Sequence, residues 1–328
     1  MRRALPITVL AATLCILSAI PPLAGAQDSY PSRQVRLIVP TNAGGAPDTL
    51  ARILAQKLGA HFNRPFVVEN KPGAANLIGS DYVAKSPPDG YTLLIGTSHV
   101  FGILPGMHPK MPFDAVRDLT PIMRMVDTPH LIVVPSSLPV NNIPEFVKYV
   151  EARPGQLSYG SSGIGSSHHL IMEAFMARAG GLKMVHVPFK GSQDNLQSLL
   201  GGNLQVSVIV VSSSIQQIRA GRIKPLGIST IRRSSLAPDI VPIAEQGYPG
   251  FDLTNTAGLF APVGTPRPVV SSLEAATAKA INDPETMQSL GKIGFELAIL
   301  GSEDYAKAIR ADVDAYGSVI KAANVKME

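Results

Sequence analysis

The sequence predicts an α/β fold with mostly parallel strands, organised as two lobes. Short apolar, β-rich runs alternate with helical patterns along nearly the whole chain. The composition agrees, because 328 residues with 45% hydrophobic and 16% charged side chains suit one large or two medium globular domains and exclude a disordered chain. An extended apolar stretch at 122–134 separates two β/α series, which indicates the two lobes.

The first series has the order β-α-β-α-β of a doubly wound unit. Its predicted elements are strand 35–39, a helix with Leu50, Ile53, Leu54 and Leu58 on one face, strand 66–69, helix 77–84 and strand 91–95. Gly44 and Gly45 lie in the loop that joins the first strand to the first helix. A turn sequence at 70–73 follows the second strand.

The second series begins after the apolar stretch, which Pro129 interrupts. Its predicted elements are helix 143–151, strand 157–159, helix 168–179, strand 184–187, a helix from 191 to 200, strand 206–211, helix 215–220 and strand 225–229. Segment 258–262 is expected to return the chain to the first lobe, where helices near 269–282 and 304–321 should pack. The predicted boundaries are a targeting segment at 1–26, lobe 1 at 27–125 and 258–328, and lobe 2 at 126–257.

The N-terminus has the three parts of a secretory signal peptide. Arg2 and Arg3 precede an apolar run at 7–20, and Ala24-Gly25-Ala26 offers a cleavage site. The apolar run is shorter than the ~20 residues that span a bilayer, which favours cleavage over anchoring. We therefore predict export to the periplasm. Cleavage would remove Cys15, the single cysteine, and with it disulfide, thiol and cysteine-metal chemistry.

Charge and motifs exclude several functions. Lys and Arg number 29 against 24 Asp and Glu, but the basic residues are scattered and aromatics make up only 5%, which argues against nucleic-acid binding. The sequence lacks the motifs of zinc proteases, P-loop NTPases, dinucleotide-binding enzymes and α/β-hydrolases. His168 and His169 are adjacent, so on a helix they point apart and cannot chelate one metal. We predict no catalytic residue, metal or cofactor.

Five polar or glycine-rich loops, by contrast, each join a strand end to a helix start. They lie at 41–48, 97–99, 161–167, 191–193 and 212–214. Free N–H groups and the dipole at a helix N-terminus bind anions, and ligands of open α/β sheets lie at the carboxyl ends of strands. Glycine, serine and asparagine are also ordinary turn and capping residues, so one such loop indicates little. Five of them favour an anion-binding cleft.

The sequence closely resembles the Bug family of tripartite tricarboxylate transporter substrate-binding proteins, on motifs that follow one another along essentially the whole mature chain. The matching stretches are 30–33 (Tyr-Pro-Ser-Arg), 35–40 (Val-Arg-Leu-Ile-Val-Pro), 43–45 with Asp48, 67–74 (Val-Val-Glu-Asn-Lys-Pro-Gly-Ala), 88–94 (Pro-Asp-Gly-Tyr-Thr-Leu-Leu), 154–159 (Pro-Gly-Gln-Leu-Ser-Tyr), 185–191 (Val-His-Val-Pro-Phe-Lys-Gly), 218–223 and 259–266. The resemblance implies a type II periplasmic binding protein fold, without catalysis, whose two lobes close over a small organic anion, usually a carboxylate.

The resemblance also implies which residues bind the ligand. Backbone amides and bridging waters at the loop Ala43-Gly44-Gly45 should hold one carboxylate, while Asp48 caps the helix and braces the loop. The expected binding residues are Thr41, Asn42, Ala43, Gly44, Gly45, Asp48, Ser98, Ser161, Ser162, Gly163, Ser166, Ser167, His168, Lys190 and Ser212. The implied partners are the carboxylate and the membrane permease subunits of a tripartite tricarboxylate transporter, with the receptor itself a monomer.

This sequence departs from the usual family pattern at three places. Thr41-Asn42 stands where Phe-Pro is common, Ala74-Ala75-Asn76 replaces a more glycine-rich stretch, and Ser207 stands where many members carry Asp. The ligand therefore does not follow from the resemblance. Two alternatives stay open, a secreted hydrolase and a ligand-sensing receptor without a transport role. A cytoplasmic effector-binding regulator is disfavoured by the predicted signal peptide.

Overall fold

The computed structural model describes residues 30–108 and 110–325, so the predicted signal peptide at 1–26 lies outside the described residues. The strands are β1 (Val35–Val39), β2 (Phe66–Asn70), β3 (Thr92–Thr97), β4 (Leu119–Thr128), β5 (His130–Pro135), β6 (Ser158–Ser161), β7 (Val185–Pro188), β8 (Val206–Val210), β9 (Ile223–Ile228), β10 (Asn255–Pro262) and β11 (Glu296–Gly301). The α-helices are α1 (Ala46–Phe62), α2 (Leu77–Ala84), α3 (Leu104–Met107), α4 (Ile143–Glu151), α5 (Ser167–Arg178), α6 (Ser192–Leu200), α7 (Val211–Arg219), α8 (Arg267–Ile281), α9 (Pro284–Lys292) and α10 (Ser302–Ala322).

The strands form two sheets, which confirms the predicted two-lobed α/β class. The first sheet has six strands in the order β11-β4-β10-β3-β1-β2, and the second has five in the order β7-β6-β8-β5-β9. The first sheet therefore draws on residues before 129 and after 254, and the second on the residues between them.

Both sheets are mixed, whereas the sequence predicted mostly parallel strands. β1 pairs in parallel with β2 and β3, and β6 with β7 and β8. The remaining described pairings, made by β4, β5, β9, β10 and β11, are antiparallel. Each of these antiparallel pairings includes β4, β5 or β10, the strands that lie next to the two crossings between the lobes.

The first crossing divides the predicted extended stretch 122–134 into two strands of different sheets. Pro129 stands between β4 and β5, and proline has no N–H group with which to continue a ladder. The second crossing precedes β10, whose first residue Asn255 pairs with Thr128 at the end of β4. The predicted lobe boundaries at 125/126 and 257/258 lie inside β4 and β10, three residues from the crossings.

The core of lobe 1 explains why α1 forms where it does. Pro47 lies in the first turn, where its missing N–H costs no hydrogen bond, and Asn63 ends the helix in a left-handed conformation. Leu50, Leu54 and Leu58 are fully buried against the sheet, together with apolar residues of α8. This packing fixes the N-terminus of α1 at the carboxyl end of β1.

Helix α10 packs on both lobes, which differs from the prediction that the C-terminal helices belong to lobe 1. Tyr305 and Ile309 lie in a core cluster of lobe 1. Tyr316 and Ile320 lie in the main core of lobe 2, with α4 and α5. Helix α8 packs on α1 and β4, as expected.

Several elements were not predicted from the sequence. They are a π-helical turn (His99–Ile103), the helices α3 and α9, a 3-10 turn (Ile243–Gln246) and the strand β11. Helix α7 begins at Val211, so the predicted loop 212–214 is its first turn. The β-branched run through Val211 resembles a continued strand, which hides the helix start. Within the described residues no helix combines the length and the apolar composition needed to cross a membrane.

Candidate functional site

A cavity of about 340 Å³ lies where the two lobes meet, at the carboxyl ends of β1 and β3. It is lined by Thr41, Pro47, Ala75, Asn76, Thr97, His99, Ile103, Ser166, Ser167 and Asn255. Serines of lobe 2 therefore face amides and hydroxyls of lobe 1. The volume is at the lower end of the ~300–1,000 Å³ typical of small-molecule sites.

Two other hollows have a chemistry that does not suit an anion. One of about 430 Å³ between α8 and α10 is lined by the carboxylates of Glu274, Glu303 and Asp304. Another of about 480 Å³ between α5 and α10 is mainly apolar. The cavity between the lobes is the candidate site, because it is polar and lies at the carboxyl ends of strands, where ligands of open α/β sheets bind.

The loop between β1 and α1 is braced by the carboxylate of Asp48, which is almost fully buried. Its Oδ2 accepts hydrogen bonds from the backbone N–H of Gly44 and from Nε of Arg52, both at 2.9 Å, and Oδ1 accepts one from Nδ2 of Asn70 at 2.9 Å. The hydrogen bond from Arg52 is the main reason that the pKa of Asp48 falls to about 2. Asp48 is thus ionised and engaged within the protein.

This bracing changes which amides of the predicted glycine loop are available. The N–H of Gly44 is taken by Asp48. Within the described chain, the N–H groups of Gly45, Ala46 and Asp48 have no acceptor, and they lie at the N-terminus of α1. Residues 42–45 are exposed beside the cavity, and Thr41 lines it with a buried Oγ1 that has no hydrogen-bond partner in the described structure.

The loop 161–167, on the opposite side of the cavity, is stabilised by hydrogen bonds of its own serines. The buried Ser161 accepts a hydrogen bond from the N–H of Gly163 and contacts Nε2 of His186 at 2.7 Å. Ser166 caps α5 by accepting from the N–H of His169, and its hydroxyl donates to the carbonyl of Gly163. Ser162 and Gly163 flank the cavity without lining it. The loop therefore presents Ser166 and Ser167 in a fixed conformation.

Two stacked histidines also contact the loop 161–167. The rings of His169 and His186 lie 3.8 Å apart and nearly parallel. Burial lowers the pKa of both to about 4, so they are neutral at pH 7. Nδ1 of His169 accordingly accepts a hydrogen bond from the N–H of Gly165 at 3.1 Å.

His168, one of the predicted binding residues, lies behind the cavity wall. It is almost fully buried and contacts His130 edge to face, with ring centroids 4.9 Å apart. Nε2 of His130 contacts Oγ of Ser167 at 3.2 Å. Burial lowers the pKa of His168 to about 4 and that of His130 well below its usual range, so this pair contributes no positive charge at pH 7.

Ser98 is buried and acts on the cavity through Asn255. Its hydroxyl accepts a hydrogen bond from the N–H of Thr256 and donates to Oδ1 of Asn255 at 2.8 Å. This arrangement leaves the NH₂ group of Asn255 as a donor on the cavity side. Ser98 therefore orients a cavity-facing amide.

Lys190 and Ser212 are not brought to the cavity. Lys190 is exposed beyond β7 and is not among the lining residues. Ser212 lies against Gly294, where an added Cβ would come within 2.3 Å of its Oγ. Ser207, one of the departures from the family pattern, is buried and donates to Asn195, away from the cavity.

Two amides and one histidine that line the cavity were not among the predicted binding residues. Asn76, Asn255 and His99 line the cavity. Asn76 follows Ala74 and Ala75 in a run of three left-handed residues, with φ of 45°, 51° and 76°. His99 belongs to the polar loop 97–99 that the sequence predicts, so its position after a strand could have indicated it. Asn255 comes next to Ser98 only after the second crossing, which the local sequence does not reveal. In the parts of the chain that the structure describes, no cluster of three or more His, Cys, Asp or Glu residues is arranged to hold a metal.

Residues 50–325 match the family described as the tripartite tricarboxylate transporter family receptor. The chain belongs to this family. It is 34% identical over 294 residues to a protein encoded in the tcbD-tcbE intergenic region of Pseudomonas sp. strain P51, covering 89% of this chain and 87% of that one. It is 29% identical to the protein BugT of Bordetella pertussis, covering 92% of each. The predicted Bug-type, periplasmic solute-binding receptor is thereby confirmed.

Solved structures of similar proteins share the fold. An R. palustris protein solved with adipate is 33% identical, with a TM-score of 0.75, and the match covers 91% of this chain and all of that one. The protein MatC of Rhodopseudomonas palustris, solved with bound malate, is 27% identical, with a TM-score of 0.70, over 89% of this chain and all of that one.

Proposed function

We propose that this receptor captures a small organic carboxylate in the cavity between its lobes and delivers it to the permease of a tripartite tricarboxylate transporter. The observation that carries the proposal is the lining itself. Hydroxyls of Thr41, Ser166 and Ser167 and amides of Asn76 and Asn255 meet around a space of small-molecule size.

Free N–H groups at the two lobes support an anion in this space. Those of Gly45 and Ala46 lie at the N-terminus of α1, and α5 begins at Ser167 across the cavity. Helix N-termini carry partial positive charge, so a carboxylate between them is stabilised without a fixed cation. The adipate and malate found in relatives have the same chemistry.

A role without catalysis is part of the proposal, and the serine–histidine contacts of the site support it. Ser161 contacts His186, but its hydroxyl is buried. Ser167 lines the cavity and contacts His130, whose ring faces another histidine instead of an orienting carboxylate. A neutral histidine with a strongly lowered pKa is a weak base. A secreted hydrolase would turn over simple carboxylic esters, and loss of that turnover in Ser167→Ala would favour it.

The proposed binding is tested by calorimetry with a panel of mono- and dicarboxylic acids on the wild type and on Thr41→Val. Loss of a hydrogen bond to a charged ligand group, worth ~1.5–3 kcal/mol, should weaken binding about 10- to 100-fold. Thr277→Val is the matched control, because Thr277 also has a buried, unpartnered hydroxyl but lies in α8. Failure of every acid to bind the wild type, or equal losses in both variants, would contradict the proposal.

We further propose a monomer that is exported by cleavage near Ala26. The Arg2-Arg3 start, the short apolar run and the Ala-Gly-Ala sequence support the processing. N-terminal sequencing of protein from the periplasm should begin near Gln27, and a start at Met1 would contradict it. Size-exclusion chromatography with light scattering should give the mass of one chain.

A further inference from the structure

His99 is the one titratable side chain among the described residues that line the cavity. It opens the π-helical turn that follows β3, and within the described chain its ring makes no hydrogen bond. Burial lowers the pKa of His99 to about 4, so its imidazole is neutral at pH 7. A neutral imidazole has one N–H donor and one acceptor nitrogen.

The groups around His99 supply no positive charge to the cavity. His108, at the end of α3, disfavours the charged form of His99. Helix α10 packs on the π-helical turn and brings Tyr316 and Asp312 against Gly102. On the lobe 2 side, the neutral His130 and His168 lie behind Ser167. On the α1 side, the carboxylate of Asp48 is paired with Arg52.

A ligand with two carboxylates therefore meets an asymmetric site. Amides and hydroxyls can hold one carboxylate, but a second negative charge enters a space without a counter-charge, and desolvating an unpaired charge is costly. A carboxylate within hydrogen-bond distance of an imidazole favours its protonated form. Protonation of His99 is the available way to balance the second charge.

We infer that His99 is the specificity-determining residue for the second acidic group of the ligand and that a dicarboxylate binds with uptake of one proton by this imidazole. The inference rests on the proposed function. The proton comes from solvent, binds the acceptor nitrogen of His99 and returns to solvent when the ligand leaves, with no covalent bond made or broken. Dicarboxylates should therefore bind more tightly than their monoamides, and their affinity should rise as the pH falls.

Calorimetry tests this with succinate, adipate and their monoamides in phosphate and in Tris between pH 6.5 and 8.5. For the wild type and the tighter dicarboxylate, the observed enthalpy should depend on the buffer. Its affinity should rise towards low pH, by up to about tenfold per pH unit where a full proton is taken up. The monoamide should show neither effect.

His99→Gln keeps an amide donor and acceptor but cannot be charged, so it should lose both effects and bind the dicarboxylate no better than the monoamide. His61→Gln is the matched control, because His61 is exposed in the last turn of α1 and does not line the cavity, and this variant should keep both effects. The wild-type buffer dependence needs no variant and decides the question even if His99→Gln fails to fold. Buffer-independent dicarboxylate binding, or an unchanged pH profile in His99→Gln, would overturn the role of His99 but leave the proposed function standing. Binding of no acid would contradict the proposed function as well.

Discussion

The backbone N–H of Gly44 donates a hydrogen bond to Oδ2 of Asp48 over 2.9 Å, so a glycine at the edge of the cavity binds a carboxylate of the protein itself. The N–H groups that remain available lie at Gly45, Ala46 and Asp48. Within the described chain, the loop thus separates into a part braced by Asp48 and a part whose N–H groups have no acceptor. This division directs the choice of variants.

Gly45→Val should abolish carboxylate binding with the fold intact. Gly45 has φ of −76° and ψ of 168°, which any residue adopts, and an added Cβ meets only ordinary contacts at 3.7 and 3.8 Å. Gly44 is a poorer probe, because its φ of 85° would strain another residue. Lys71→Ala is the control, since Lys71 lies over the ring of Tyr82. If calorimetry shows a greater loss for Lys71→Ala while circular dichroism shows both variants folded, a side-chain cation binds the ligand.

Asp48→Asn should lower the free energy of unfolding at pH 7 by about 1–2 kcal/mol, because charge-assisted hydrogen bonds to a buried carboxylate are lost. The pKa of Asp48 is about 2 in the folded protein and ~3.9 when unfolded. Its stabilising contribution is therefore fully present above pH 4 and is lost as the pH falls towards 2. Urea unfolding from pH 5 to pH 2 should show a shallower loss in the variant.

A suitable control for Asp48 is Asp304→Asn, since Asp304 forms an exposed ion pair with Lys307. Such pairs contribute ~0–1 kcal/mol. Equal effects of the two substitutions would contradict the bracing role of Asp48.

Ala74→Gly should raise the free energy of unfolding by about 0.5–1 kcal/mol. Ala74 has φ of 45°, and a left-handed conformation costs a residue with Cβ ~1–2 kcal/mol, which exceeds the extra backbone entropy of glycine. Ala74 is outside the cavity lining, so the change acts on the backbone. Ala60→Gly, at an exposed position inside α1, should instead lower the stability by about 0.5–1 kcal/mol. Urea unfolding checks both, and a loss of stability in Ala74→Gly would contradict the strain.

The parts of the site that the sequence predicted are those fixed by local chemistry. Thr41, Ser166 and Ser167 line the cavity because each follows a strand and precedes a helix, which hydrophobic periodicity and capping residues reveal. Asn255 could not be found this way, since it reaches Ser98 only after the chain has built lobe 2 and returned. The sheets are mixed for the same reason, because strand direction at a crossing depends on long-range pairing.

Ligand binding should bring the lobes together. Three segments join them, namely the crossing at Pro129, the crossing before β10 and the helix α10, so closure has to bend both crossings and shift the contact of α10 with lobe 2. Small-angle scattering should show a smaller radius of gyration with a verified ligand than without it. An unchanged radius would favour a rigid pocket.

Asp312→Asn should stabilise the protein at pH 8 by about 1–2 kcal/mol and flatten the pH dependence of its stability. Three carboxylates, of Asp127, Asp252 and Asp312, lie around Arg124 next to the crossings, and Arg124 binds Asp127 directly. Burial raises the pKa of Asp312 to about 6, above the ~3.9 of an unfolded chain. The stability that this proton binding contributes is present below pH 4 and is lost as the pH rises through about 6, because the ionised carboxylate is then desolvated beside its neighbours. Asparagine carries no charge to desolvate.

The matched control is Asp314→Asn, an exposed position two residues along α10, which should change the stability by less than about 0.5 kcal/mol. Urea unfolding from pH 5 to pH 8 measures both, and a steeper pH dependence in Asp312→Asn would show that Asp312 stabilises Arg124 in its ionised form instead.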